Sequence, residues 1–251
     1  GKRIVKTLGL EGEGGKFPPS NPPASSEWAK YFAPDKPKGS TLTPKTDFLI
    51  GRRRVSLKTG DAILMSGERK EATATFYTAL DRSGSINKAV SQLKKHIDNL
   101  LPSTDMTKYD VKGSKTDLEK AGKFAEVEIL KKADDAHQAF KKDLRDAFGK
   151  NPAFAQAFTF EAMTGDTKFG NSIGTAEFFL VTDYEGNAKL HNAFKDKSYV
   201  KKIASQVKPD VKFKSTQNTS SQLKSPTNPK GKTGFYTFWS AVGVGVKMVV
   251  K

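Results

Sequence analysis

Residues 46–50 and 53–57 are two short, apolar-containing segments separated by little more than Gly51-Arg52, and no other stretch narrows the fold as much. Glycine supplies the positive φ that a tight antiparallel connection needs, so the two segments are expected to pair as a hairpin. Residues 62–65 follow as a third strand or as the approach to a helix. Ala72, Phe76 and Leu80 then recur at spacings of four among good helix formers, which predicts a helix over 67–80 with one buried face. Val90, Leu93, Ile97 and Leu101 repeat the logic over 86–101.

Residues 117–148 are helical by the same criterion, heavily charged and interrupted once, with Leu118, Phe124, Val127, Leu130, Ala133, Phe140, Leu144 and Phe148 expected inward. Asn151-Pro152 opens another helix over 153–163, since proline is tolerated in a first turn. TAEFFLVTDY at 175–184, bounded by Gly174 and Gly186, is the clearest strand. Residues 207–232, rich in Lys, Ser, Thr, Asn and Pro, read as a loop, and 235–250 as one or two strands.

The first 24 residues hold Gly12, Gly14, Gly15, Pro18, Pro19, Pro22 and Pro23 with few apolar side chains, and are expected to form an extended arm. A short helix capped by serine follows and stops before Pro34, packing Trp28 and Phe32 inward. The succession of elements implies a mixed α/β (α+β) domain over 25–251, with a helical insertion at about 84–150.

Lys and Arg total 43 against 27 Asp and Glu, a formal charge of +16, so the field of the chain attracts a polyanion and nucleic acid is the expected partner. An anionic membrane would suit the same charge, but no basic amphipathic helix or lipidation signal stands out, and the apolar run near the end is broken by Gly243, Gly245 and Lys247. No membrane partner is expected. The chain has no cysteine, which excludes disulfides, Cys-based zinc sites and thiol nucleophiles. His96, His137 and His191 are too scattered for a zinc cluster or a triad, and Gly12 to Lys16 lacks the Ser or Thr of a phosphate loop, having Phe17 instead. Gly1-Lys2-Arg3-Ile4-Val5 carries no secretory core, so a cytoplasmic location is expected, in a host cell or a virion if the source is viral.

The hairpin also carries the chemistry. It places Asp47 at the start of one strand and Lys58 at the end of the next, and antiparallel pairing returns those ends to one place. Phosphodiester hydrolysis needs hard oxygen ligands for a divalent cation, an activated water and positive charge near the developing oxyanion, and an acid beside a lysine provides part of that set. The same letters also suit an ordinary surface hairpin, with Asp47 in a turn or cap and Lys58 solvated. Arg52, Arg53 and Arg54 at the tip could grip phosphates or simply solvate the turn. Glu161, Asp166 and Lys168 could face the hairpin site, while a helix-ending turn around Gly165 accounts for the same segment.

Over residues 44–58, PKTDFLIGRRRVSLK, the chain resembles the PD-(D/E)xK nuclease superfamily of restriction enzymes, resolvases and phage nucleases. The resemblance extends roughly over 25–80 and implies a restriction-endonuclease-like core with a central mixed sheet. Ser56 stands where the family has its second acid, which some members replace with a carboxylate from the following helix. The resemblance thus implies that Asp47 binds metal, that Glu71 or alternatively Glu68 completes the carboxylate pair, and that the Leu57 carbonyl is a further ligand. Lys58 would orient or activate the attacking water, Ser56 would hold a metal-bound water, and Glu27 stands where the family often has another acid.

The implied function is cleavage of DNA with Mg2+ or Mn2+. The alternatives are a noncatalytic nucleic-acid-binding or packaging protein of a virion or nucleoid with a degenerate nuclease fold, and an assembly protein whose basic charge serves acidic partners. Homo-oligomerisation and virion-protein partners are both compatible with the sequence.

Overall fold

The computed structural model describes residues 13–14, 17, 22–23, 25–30, 43–64, 69–100, 114–183, 185 and 187–210, and the short strands 212–215, 222–223, 234–237 and 246–247. Glu68, Phe32 and Leu101 lie outside the described residues. Strands β2 (Phe48–Ile50) and β3 (Arg53–Thr59) form the expected hairpin, with Phe48 opposite Val55 and Ile50 opposite Arg53. Gly51 turns the chain at φ +57°, a conformation that costs a residue with a Cβ.

On its other edge β3 pairs in parallel with β5 (Phe178–Thr182), and β6 (Ala188–Asn192) returns antiparallel to β5. Outside β2 lies β1 (Glu13–Gly14), so the expected arm contributes a short strand, which gives a mixed sheet of order β1-β2-β3-β5-β6. The parallel pair needs a long crossover. It is supplied by α1 (Arg69–Ser83), α2 (Lys88–Leu100), α3 (Lys115–Lys120), α4 (Phe124–Lys150), α5 (Pro152–Thr164) and α6 (Asp166–Phe169), while α7 (Lys197–Gln206) follows β6.

The sheet buries its two faces unequally. Phe179 and Val181 of β5 join Ala72 and Phe76 of α1, Val90, Leu93 and Ile97 of α2, and Phe154 and Phe158 of α5 in the main core. Phe48, Val55 and Leu180 form a smaller cluster with Leu57 packed against it. Side chains alternate along a strand, and Ser56 and Lys58 stand opposite Phe179 and Val181, so both point to the helix-covered face.

Of the expected inward residues of the long helical region, Phe124 is 69% exposed. It is the first residue of α4, before that helix reaches the cluster of Leu118, Val127 and Leu130; further along, Phe140, Leu144 and Phe148 enter the main core. The interruption falls at 121–123. Residues 207–232, expected to be loop, contain β7 (Lys212–Ser215) and β8 (Gln222–Leu223), which form a small antiparallel sheet with β9 (Gly234–Thr237). β4 (Asp61–Ala62) pairs with β10 (Val246–Lys247).

Asn151 joins α4 to α5 by serving both sides. Its Oδ1 accepts from the Phe154 amide at 3.1 Å, and its Nδ2 donates to the Ser85 carbonyl at 3.2 Å. Asn151→Ala removes the cap and strands that carbonyl, so an expected loss of about 1–2 kcal/mol in unfolding free energy should be visible in urea titration. An unchanged midpoint would show that the cap contributes nothing. Among the described residues no helix is long and apolar enough to cross a membrane.

Candidate functional site

The register of β2 and β3 brings Asp47 to the far end of the hairpin. The Asp47 amide donates to the Val55 carbonyl at 2.9 Å. Its carboxylate Oδ2 accepts from the Ser56 hydroxyl at 3.0 Å and from the Leu57 amide at 2.7 Å. Both bonds fall on one oxygen and fix the carboxylate, and among the described residues no hydrogen bond engages Oδ1. The N–H and C=O of a strand residue point to the same edge, so the Leu57 carbonyl is directed to the Asp47 side of β3. Asp47 therefore does act as a local cap, yet Lys58 is no freely solvated strand end. Burial pushes its ammonium pKa down, and the Asp47 carboxylate offsets part of that.

A second group gathers where α1, α6 and the residues before β2 meet. The Lys168 ammonium forms an ion pair with Glu71. Lys168 is only 2% exposed, and its Nζ lies 5.0 Å from the centroid of the Trp28 ring and 5.1 Å from that of Phe169. Burial raises the Glu71 carboxyl pKa, but Lys168 and Lys45 outweigh it and hold the group below the usual carboxylate range. Glu161, 1% exposed, accepts from the amides of Thr167 at 3.0 Å and Lys168 at 2.9 Å. Burial nevertheless leaves its pKa raised. Gly165, at φ +63°, makes the turn that presents Lys168. The turn around Gly165 and the inward-facing cation are thus parts of one arrangement.

Lys45 joins the two groups. Its Nζ donates to the Leu64 carbonyl at 3.0 Å, and its amide donates to the Gly174 carbonyl at 2.8 Å. Burial, with the nearby charges of Lys168 and Lys58, lowers its pKa to about 7, against the pull of Glu71 and Glu161. Asp47, Lys58, Lys45, Glu71 and Lys168 are therefore successive neighbours in one electrostatic network. In the unfolded chain Lys45 holds its proton up to about pH 10.5, whereas folded it releases it near pH 7. Between those values the unfolded state binds more protons, so this residue makes stability rise with pH across the window. Denaturation midpoints of the wild type and Lys45→Met from pH 6 to pH 10 should show that rise in the wild type and a shallower one in the variant. Parallel curves would contradict the assignment.

The structure thus joins Asp47, Ser56, Leu57 and Lys58 directly and links them to Glu71 through Lys45. Among the described residues no three His, Cys, Asp or Glu side chains form a metal-holding group. The oxygen donors present are the Asp47 carboxylate, the Leu57 carbonyl and Glu71, the last engaged by Lys168. Glu27 opens a 3-10 helix (Glu27–Lys30) whose next residue, Trp28, packs beside Lys168.

The arginines divide. Arg52 and Arg53 are exposed at the tip, with Arg53 over the Phe178 ring at 5.4 Å. Arg54 is tied to Glu177 at 2.7 Å and to the Ser172 carbonyl, so its guanidinium braces the end of the inner β3–β5 pair. The sequence placed Lys45 inside the hairpin motif and Lys168 in a segment that could face it, with no role for either; one lysine among many beside the hairpin and another 97 residues from Glu71 offer no periodic signal. No known family, curated protein or solved structure matches the chain.

Proposed function

We propose that this chain is a metal-dependent DNA endonuclease built on a restriction-endonuclease-like core. One observation carries the reading: the Asp47 carboxylate is fixed by Ser56 and Leu57 beside a lysine whose charge is disfavoured by burial, at a mixed sheet against which helix α1, the bearer of Glu71, is packed. The +16 charge supports a polyanionic substrate.

The donors suit a hard cation such as Mg2+, which commonly takes one or two carboxylates and completes its shell with water and substrate phosphate. Asp47 and the Leu57 carbonyl would hold it, with Glu71 as the second carboxylate. Such an ion would supply Lewis-acid polarisation of a phosphoryl oxygen and a more acidic water. The chain's own residues do the rest. Ser56 and the Leu57 amide keep Asp47 from rotating. Lys58, whose pKa is lowered by burial, holds more of its amine in the neutral form than an exposed lysine does, and in that form Nζ orients the attacking water and accepts its proton.

One observation favours the second reading, a noncatalytic nucleic-acid-binding protein with a degenerate nuclease fold. Lys168 neutralises Glu71, and Ser56 removes the other candidate carboxylate. The discriminating experiment incubates the wild type with plasmid and linear DNA in Mg2+, in Mn2+ and in EDTA. Metal-dependent cutting supports the endonuclease; salt-sensitive binding with no cutting in either metal supports the second reading.

A further inference from the structure

Helices α5 and α7 pack side by side, and along them open two cavities of about 750 and 600 Å³ that share Gln156 as a common wall, the first bordered also by the end of α4 and residues 207–210 and the second by the end of α1 and residues 193–194. The floor is largely apolar, with Ala153, Ala155, Ala157 and Ala204 contributing small side chains. The rim is cationic: Arg145, Lys201 and Lys208 border one cavity, and Arg82 and Lys197 the other. Among the described residues Asp210 is the lone carboxylate on either lining, and Lys141 already pairs with it at 3.2 Å. Lys197 and Lys201 stand one turn apart on α7, roughly 6 Å along the helix axis.

An aromatic pair closes one end. Phe194 is 39% exposed, and its ring meets Phe160 edge-on at 5.1 Å. The Arg82 guanidinium lies 4.7 Å from the Phe160 centroid and donates to Asp166 at 2.6 Å. Asp166 is two residues from Lys168, which holds Glu71, so the groove ends at the margin of the charged network.

We propose that this groove binds a single strand of nucleic acid, with bases stacked on Phe194 and phosphates along Lys197, Lys201, Arg145 and Lys208. Charge complementarity selects a polyanion, and the exposed ring with its apolar floor selects one that offers flat apolar faces. A duplex keeps those faces stacked inside itself, whereas a separated strand presents them. An acidic peptide shares the charge but has no such faces to place on Phe194. The choice of nucleic acid rests on the function proposed above, deepening it to a strand-holding groove beside the site.

Fluorescence anisotropy with a labelled twelve-residue oligothymidylate in EDTA tests this without any cleavage. The wild type should bind in a salt-sensitive way. Lys197→Glu with Lys201→Glu should weaken binding at least about tenfold, and Phe194→Ala about fivefold or more. Lys120→Glu with Lys123→Glu, an equal charge change at exposed positions on another part of the surface, should have a much smaller effect. Circular dichroism establishes that each variant is folded.

Equal losses in the two double variants would overturn the groove in favour of diffuse attraction. So would an unchanged Phe194→Ala, or an oligoglutamate that competes as well as the oligonucleotide. A wild type that binds through the groove but cuts no DNA in Mg2+ refutes the nuclease alone. A wild type that cuts DNA, with strand binding indifferent to the groove variants, refutes the groove alone.

Discussion

Lys168→Met is expected to lower the unfolding free energy by about 3 kcal/mol or more, because it leaves the Glu71 carboxylate facing the interior without its cation. The pair is unequal: the Lys168 side chain is 3% exposed and that of Glu71 21%, so most of the desolvation falls on the lysine, and some water still reaches the acid. That exposure places the expected loss at the lower end of the range for broken buried pairs. Trp28 and Phe169 add to the site, since both rings lie close to the ammonium and would keep the methionine packed. Guanidinium titration should show a lower midpoint with an unchanged slope. Adding Glu71→Gln to Lys168→Met removes the second charge and should restore part of the loss. A double variant no more stable than the single would mean that the cost comes from packing around Lys168 rather than from the unpaired acid.

Asp47→Asn separates the fold from the chemistry at the hairpin. The asparagine carbonyl oxygen can still accept from the Ser56 hydroxyl and the Leu57 amide, so the end of the hairpin stays closed. What disappears is the negative charge, and with it the attraction for a hard cation and the support that Asp47 gives to the Lys58 ammonium. Thermal stability should therefore change little, by about 1 kcal/mol or less, while Mn2+ affinity read by titration calorimetry falls at least about tenfold. Metal-dependent cleavage should fall with it. Equal Mn2+ affinity in the two proteins would place the ion elsewhere and remove Asp47 from the site.

Legibility followed periodicity and turn chemistry. The hairpin could be read because Gly51 sits between two apolar segments, and α1 and α2 because Ala72, Phe76, Val90, Leu93 and Ile97 repeat at helical spacing; all five are fully buried. Strand β6 and helix α7 were less visible. Only Leu190 is strongly apolar among AKLHN, and the buried Tyr199, Val200 and Ile203 are spread among lysines in a short helix. Phe124 shows the opposite failure, an apolar residue in phase with a buried face but standing ahead of its packing cluster.

At the site, local order gave Asp47, Ser56 and Lys58, since strand pairing follows from adjacent sequence. Lys168 lies 97 residues from Glu71, and a pairing of that separation leaves no trace in composition or spacing. Arg54 was grouped with its neighbours by sequence, but its alternation on β3 sends it to Glu177.

The most direct test of the account compares the wild type with Lys58→Met on supercoiled plasmid DNA, in Mg2+ and in EDTA, with both proteins shown to be folded. Methionine keeps the apolar stem of Lys58 and loses only its amine. The wild type is expected to nick the plasmid in Mg2+ alone, and the variant to do so at a rate lower by about 10²–10⁴. Equal Mg2+-dependent cutting by the two proteins would contradict this.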